Sequence, residues 1–354
     1  MKLFAKKARP MLGLDISTSS VKLIEISTVG DTYRVESFAA EAMAPNAMND
    51  KVIADVEATA EAIRKCVKAS GTGVKRAAVA VGGASVITKL VAMPAKLSDK
   101  DLGAQIEMQA DQYIPFPLEE VAFDYEVVGA SATDPEMMDV LLAATRRENV
   151  EARQQALGAA GLQAKVVDIE AYAVENAARL LNHQLADEGF GKTIAFIDFG
   201  AVTTTFSVLH DRKIVYTRDQ QFGGKALTEE IMRHYGLSYE EAGKAKKEGG
   251  LPGNYKADIL DPFVEDMAQQ VNRSVQFFMS ATSEYAQIDQ LVLCGGCAMI
   301  PSALSTIHEK VGLQTVVADP FGRMKIASKA KGQMVENEAP GLMIACGLAM
   351  RSFD

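Results

Sequence analysis

The chain reads as a two-domain α/β protein, and three features carry that reading. The first is a unit of apolar strand, aspartate, small-residue turn and second strand over Met11–Ser27. The second is a repeat of the same plan over Lys192–Leu209. There Asp198 takes the place of Asp15, Gly200 that of Ser17 and Thr203 that of Ser20. The third is an apolar strand, Ile288–Leu293, running into Cys294-Gly-Gly-Cys297 with a helix start near Pro301. Matched units in both halves of a chain predict two related domains facing one ligand.

Composition narrows the classes. At 354 residues the chain can build two domains with an ample core. A net charge of −9 argues against nucleic acid as the main partner, since phosphate backbones need a basic face. No apolar run approaches the roughly 20 residues needed to span a bilayer. Residues 1–10 are basic but lack the apolar stretch of a signal peptide, so they read as a tail; the sharper alternative is contact with anionic lipid or a partner. The spacing of Cys66, Cys294, Cys297 and Cys346 gives no disulfide framework. Cys294 and Cys297 match C-x-x-C without the second pair or the His that zinc would need.

In chain order, residues 11–45 predict three strands, the third over Thr32–Ala40. Asn49 or Asp50 is placed to cap a helix reaching about Ala69, with Val52, Ile53, Val56, Ala60, Ile63 and Val67 at helical spacing. Arg76–Val81 predicts a buried strand closed by Gly82-Gly83. Residues 84–160 read as a separable insertion. It holds a strand over Ser85–Met93 and a helix capped by Ser98-Asp-Lys-Asp101. Tyr113-Ile-Pro-Phe-Pro-Leu118 stops that helix, and alternating strands and a helix over Asn149–Ala160 follow. An Ala-rich helix follows Val166, then the repeated hairpin and a further strand pair from Phe206 to Thr217. Phe222-Gly-Gly opens a helix, Ser238 caps another, and Pro262–Thr282 is a long one. A small-residue helix spans Gly341–Ser352.

These motifs suit a phosphate ligand. A tight Ser/Thr turn offers backbone and hydroxyl donors to phosphate oxygens, and an aspartate at its mouth can hold Mg²⁺, directly or through water. Gly223-Gly224 opens a helix whose first N–H groups can meet phosphate. Gly295-Gly296 lets a planar base lie against backbone.

Together the motifs resemble the actin-like ATPase superfamily. Gly13–Lys22 looks like its first phosphate motif, Ile197–Thr205 its second, Leu293–Pro301 its adenosine motif and Glu170-Ala-Tyr-Ala its first connecting helix. Within it the chain is most similar to the PilM family of type IV pilus assembly. Gln112–Glu120, Glu240–Lys247 and Arg273–Phe278 carry that similarity alongside the opening motif. The resemblance implies an actin-like (ribonuclease H-like) fold with an FtsA-type inserted subdomain at 84–160. Residues 11–83, 161–190 and 341–354 would form the rest of the first domain. Residues 191–224 and 262–340 would form the second, with 225–261 as its outer subdomain.

The resemblance also implies ATP in the cleft, with Asp15 and Asp198 holding Mg²⁺ through water. Ser17, Thr18, Ser19 and Ser20 would face Gly200 to Thr203 across the phosphates, with Lys22 adding charge. Gly223, Gly224 and Lys225 would approach the nucleotide, Lys246 would lie at the adenine side, and Gly295 and Gly296 would bracket the adenosine. Glu170 would be the residue that orients water. The sequence departs from the superfamily pattern at Gly243, where a ribose-binding glutamate belongs, and at Ser17, where many relatives carry glycine.

As partner, the resemblance implies the cytoplasmic N-terminal tail of PilN. It would lie in a groove between the first core subdomain and the insertion, lined by Gly82, Gly83, Val86, Ile114 and Phe116. Ile114 and Phe116 read equally well as core residues of the insertion. Pilus motor ATPases, other pilus regulators and self-association are further implied contacts. The expected place is the cytoplasm, peripheral to the inner membrane through the partner. The alternatives are a slow ATPase or phosphotransferase and an FtsA-like polymerising protein.

Overall fold

The computed structural model describes residues 10–354 apart from 31, 84–85, 132–133, 283 and 331. The basic segment 1–10, except Pro10, and two residues of the expected groove at 82–86 lie outside the described residues.

The chain opens as an antiparallel meander, β1 (Leu12–Ile16), β2 (Ser20–Val29) and β3 (Thr32–Ala42). A minimal hairpin, β4 (Met48–Asn49) and β5 (Val52–Ile53), leads to α1 (Val56–Ser70) and β6 (Arg76–Val81). An insertion follows, with β7 (Val86–Pro94), α2 (Asp99–Tyr113), β8 (Val121–Ala130), β9 (Met137–Arg146) and α3 (Arg147–Ala159). Then β10 (Gln163–Ile169) returns to the first sheet and α4 (Glu170–Ala178) leaves it. The second half holds β11 (Thr193–Phe199), β12 (Thr204–His210) and β13 (Lys213–Gln220). After them come α5 (Gly224–Tyr235), α6 (Tyr239–Glu248), α7 (Asp261–Ala281), β14 (Gln290–Cys294), α8 (Ala303–Val311) and β15 (Thr315–Val317). The chain ends through β16 (Lys325–Ile326), α9 (Gly332–Asn337) and α10 (Met343–Met350).

The two large sheets repeat one topology. The first runs β10-β6-β1-β2-β3-β16 and the second β15-β14-β11-β12-β13. In each, an antiparallel meander carries a parallel strand on its first member and another parallel strand beyond that. The internal repeat seen in the sequence is thus a repeat of whole sheets. The short β16 extends the first sheet by pairing with β3, although it comes late in the chain.

Helices α4 and α10 lie between the two sheets. One apolar cluster takes Ile24 and Ile26 from β2, Val174 and Ala177 from α4, Phe196 from β11, Val292 from β14 and Ala345 and Ala349 from α10. The small residues of α10 are what allow this. A Cβ on Gly347 would overlap the Ala173 carbonyl of α4, and one on Gly13 would overlap the Ala345 carbonyl. The outer faces have their own cores, with α1 and α3 on the first sheet and α5, α7 and α8 on the second. The insertion has a third core between its β7-β9-β8 sheet and α2.

One element differs from expectation. The helix expected to start at Asn49 or Asp50 begins at Val56, capped by Asp55, whose carboxylate accepts from the Ala58 N–H at 3.0 Å. Val52 and Ile53, which continue the helical stripe in sequence, belong to β5. Asp50 sits in the hairpin turn at φ +52°, a left-handed conformation that Asp tolerates better than most residues.

Candidate functional site

Each domain places its aspartate by the same device. β1 and β11 are apolar and buried, so each carries its Asp to the strand end beside the gap between the domains. The turn then closes with one backbone bond, Ser17 N–H to the Ser20 carbonyl at 3.0 Å and Gly200 N–H to the Thr203 carbonyl at 3.1 Å. The Ser17 hydroxyl donates to the same Ser20 carbonyl at 2.9 Å, so it folds into the turn. In register, Asp15 faces Lys22 and Asp198 faces Thr205. The two halves therefore match in backbone and differ in the residue opposite the acid.

These groups share one electrostatic field. Lys22 Nζ lies 3.6 Å from Asp15 Oδ2 and donates to the Gly341 carbonyl at 2.7 Å, in the turn that enters α10. Burial raises the Asp15 carboxyl above its ordinary value, against the pull of Lys22. Burial also pushes Asp198 from 3.8 to about 6, with Lys22 and Lys51 opposing and Asp15 and Glu170 adding repulsion. Two aspartates that are costly to ionise, ringed by lysines and by turns with N–H donors, fit a metal–polyphosphate ligand. A divalent cation would relieve the acids, and its phosphates would take the donors.

The opposite end of the cleft is built by close backbone approach. Gly223 and Gly224 are buried against the Gly200–Ala201 turn, with the Gly224 N–H donating to the Gly200 carbonyl at 3.0 Å. Lys246, from α6, donates to the Gly224 carbonyl at 2.9 Å and to Thr228 Oγ1 at 2.7 Å. Gly295 takes φ +83°, and a Cβ there would overlap the Phe199 carbonyl. Its N–H donates to the Pro340 carbonyl at 2.8 Å, which ties this turn to the entry of α10. Cys297 lines this end beside Lys246, and both thiols of the C-x-x-C are buried and free. Gly243, where the superfamily resemblance expects a ribose-binding glutamate, adjoins open space.

The family model of the type IV pilus assembly protein PilM matches residues 13–353. The chain belongs to the PilM family. A solved PilM–PilN type IV pilus biogenesis complex is similar at 25% identity and a TM-score of 0.81, covering 98% of this chain and 99% of that one. More distant likenesses show the actin-like fold. The ethanolamine utilization protein EutJ of Carboxydothermus hydrogenoformans matches at 18% identity and a TM-score of 0.57, covering 97% of this chain and 89% of that one. MreB 5 of Spiroplasma citri, solved bound to AMPPNP, matches at 13% and 0.51, covering 96% and 94%.

Not every residue expected at the site of this PilM-family chain points into it. Lys225 is exposed and pairs with Glu229 on the surface at 3.7 Å, while its backbone N–H holds the Ala201 carbonyl at 2.7 Å. Gly82 and Gly83 lie against the Glu170 and Lys51 side chains. A Cβ on Gly82 would overlap the Glu170 carboxylate, and one on Gly83 would lie 3.3 Å from Lys51 Cδ. Val86 is partly buried at the start of β7. Ile114 is buried in the core of the insertion. Phe116 packs at the edge of that core with the Arg146 guanidinium 4.7 Å above its ring.

Three residues at the site carry little sequence signal: Asp50, Lys51 and Asp219. Lys51 Nζ donates to Glu170 Oε2 at 2.7 Å and Thr205 Oγ1 at 3.0 Å, and lies 3.5 Å from Asp219. Thr203 Oγ1 donates to Asp50 Oδ1 at 2.7 Å. Thr205 closes the second phosphate motif, Ile197–Thr205. Asp50 and Lys51 sit in a segment that reads as an ordinary helix cap, and Asp219 lies past the expected strand end at Thr217, inside the longer β13. Among the described residues no helix is long and apolar enough to cross a membrane.

Proposed function

We propose that this chain is a nucleotide-responsive scaffold of type IV pilus assembly. Mg-ATP sits between the Asp15 and Asp198 turns, and the N-terminal cytoplasmic tail of PilN docks between the first domain and the insertion. The observation that carries the nucleotide half is the matched pair of turn bonds at Ser17–Ser20 and Gly200–Thr203, each with a buried-strand aspartate at its mouth. What supports the partner half is family membership and the likeness to a PilM–PilN complex over nearly the whole chain. Linkage to the pilus motor and a place on the cytoplasmic face of the inner membrane follow from the same reading.

An efficient ATPase is the weaker reading. In-line hydrolysis needs a group free to orient water. The Glu170 carboxylate is instead paired with Lys51 at 2.7 Å. A scaffold needs only that nucleotide prefer one cleft arrangement over another. The test measures binding of a PilN tail peptide to the wild type with and without Mg-ATP, and to an Asp198→Ala variant with Mg-ATP. The peptide affinity of the wild type should change with nucleotide, and that of the variant should match the nucleotide-free value. Equal affinity in all three would sink the coupling.

A further inference from the structure

The hairpin turn Asp50–Lys51 touches three parts of the molecule at once. Its side chains reach the second domain, Lys51 to Thr205 and Asp219 and Asp50 to Thr203. Lys51 also closes on Glu170 at the head of α4 in the first domain. Its backbone is held from the other side, where Arg153 Nη2 donates to the Lys51 carbonyl at 2.8 Å.

Arg153 is an unusual residue to find here. It is 1% exposed. Among the described residues its hydrogen-bond partners are three carbonyls rather than a carboxylate: Lys51, Ala80 from Nε at 2.6 Å and Asn149 from Nη1 at 3.0 Å. A buried guanidinium is costly unless its donors are met and its charge is faced. The charge opposing its burial is that of Glu170, the same carboxylate that Lys51 grips. Each of the three carbonyls marks a different segment. Ala80 lies on β6, just before the insertion leaves through Gly82-Gly83. Asn149 lies on α3, which continues directly from β9, and its side chain donates to Thr145 of β9 at 3.3 Å. Lys51 is the cleft. One side chain therefore ties both ends of the insertion to the lysine that bridges the domains.

The internal repeat gives Lys51 a definite place. Lys22 stands opposite Asp15, whereas Thr205 stands opposite Asp198. Lys51 brings its ammonium to Thr205 Oγ1 at 3.0 Å, supplying a cation where the second copy of the motif has none of its own.

We propose that Arg153 is a positioning residue for Lys51, so that the seat of the insertion and the closure of the cleft are mechanically coupled through the Asp50–Lys51 turn. Displacing α3 or the end of β6 moves the Lys51 carbonyl, and with it the bridge to Thr205 and Asp219. The inference deepens the scaffold reading above and rests on it only for the Mg-ATP arm of the test.

The test reads the interdomain distance in the full chain. Spin labels go on Lys68→Cys of α1 and Lys244→Cys of α6, two exposed sites, the native cysteines being buried. Pulsed dipolar spectroscopy is run without ligand on the otherwise wild-type protein, Lys51→Met, Arg153→Met and the double variant. The wild type should give a narrow distribution. Lys51→Met should shift it to longer distances with loss of the narrow peak. Arg153→Met should reproduce that shift with Lys51 intact, and the double variant should add nothing. Arg153→Lys, which keeps the charge but reaches fewer carbonyls, should fall between and serves if the Met variant does not fold. A wild-type distribution in the Arg153 variants, or additive shifts in the double, would overturn the coupling. Mg-ATP is then titrated into the labelled proteins. A change in the wild type that is lost in both single variants supports the link, and a change that survives in Arg153→Met counts against it. A wild type unmoved by Mg-ATP would remove the nucleotide reading while the ligand-free arms still decide the coupling.

Discussion

Removing the Asp198 carboxyl should flatten part of the pH dependence of stability. The side chain is partly buried at the end of β11, and burial lifts its folded-state value from 3.8 to about 6. The folded protein therefore holds this proton more tightly than the unfolded chain does. The associated stability is fully present below about 3.8 and is lost as the pH rises through about 6. At about 1.4 kcal/mol per pH unit, the whole cycle is worth up to about 3 kcal/mol, and partial solvent contact makes that an upper bound. Roughly 1.4 kcal/mol of it falls between pH 5 and pH 8. Urea unfolding in chelator at those two pH values, on the wild type and Asp198→Asn, isolates the contribution of Asp198 and its coupling to Asp15, because titrating groups away from the pair cancel in the comparison. The wild type should lose about 1.4 kcal/mol more than the variant over that range. Mg²⁺ should recover stability at pH 8 in the wild type and not in the variant, since a cation takes the place of the proton. Identical pH slopes in the two proteins would refute the burial argument.

Gly347→Ala should destabilise the protein by about 3 kcal/mol or more in urea, because the new methyl group overlaps the backbone of Ala173 rather than a movable side chain. Near-wild-type stability would mean α10 and α4 are not in backbone contact. Asp55→Ala should cost about 1 kcal/mol through loss of the helix cap, and Asp50→Ala should leave the hydrogen-exchange protection of α1 unchanged. The opposite pattern would restore the earlier helix start.

The sequence displays the repeat because the repeat is made of local pattern. Apolar strands, an acid and a small-residue turn are all contiguous, so Asp15 and Asp198 could be paired before either sheet was known. The glycine sites at Gly223, Gly224 and Gly295 were legible for the same reason, since close backbone approach leaves glycine as its mark. Lys51 was not, because its role comes from four segments far apart in sequence: residue 51, Glu170, Thr205 and Asp219. The helical spacing of Val52 and Ile53 also misled, since two apolar residues fit a helix stripe and a two-residue strand equally well. The left-handed Asp50 breaks the helix there. Arg153 gave no signal because it satisfies carbonyls, which every segment possesses.

The placement of these contacts decides how the cleft can move. The apolar cluster shared by the two sheets lies at the α4–α10 end, where Gly347 and Ala173 touch backbone to backbone. Separating the domains there would expose a large buried surface. At the mouth, the domains meet through a few polar bonds of Lys51 and Asp50. Hydrogen bonds to charged groups contribute about 1.5–3 kcal/mol each. Two of them sum to about 3–6 kcal/mol, the range that holds the roughly 5.5 kcal/mol of differential affinity needed to carry a two-state equilibrium from 1:99 to 99:1. With contacts placed this way, an opening motion would pivot about the helices and break the mouth contacts first. A ligand that drew Lys51 away from Thr205 and Asp219, or a partner that shifted Arg153, would act on an energy of a few kcal/mol. A bridge made instead of apolar surface would have been too strong for either to switch.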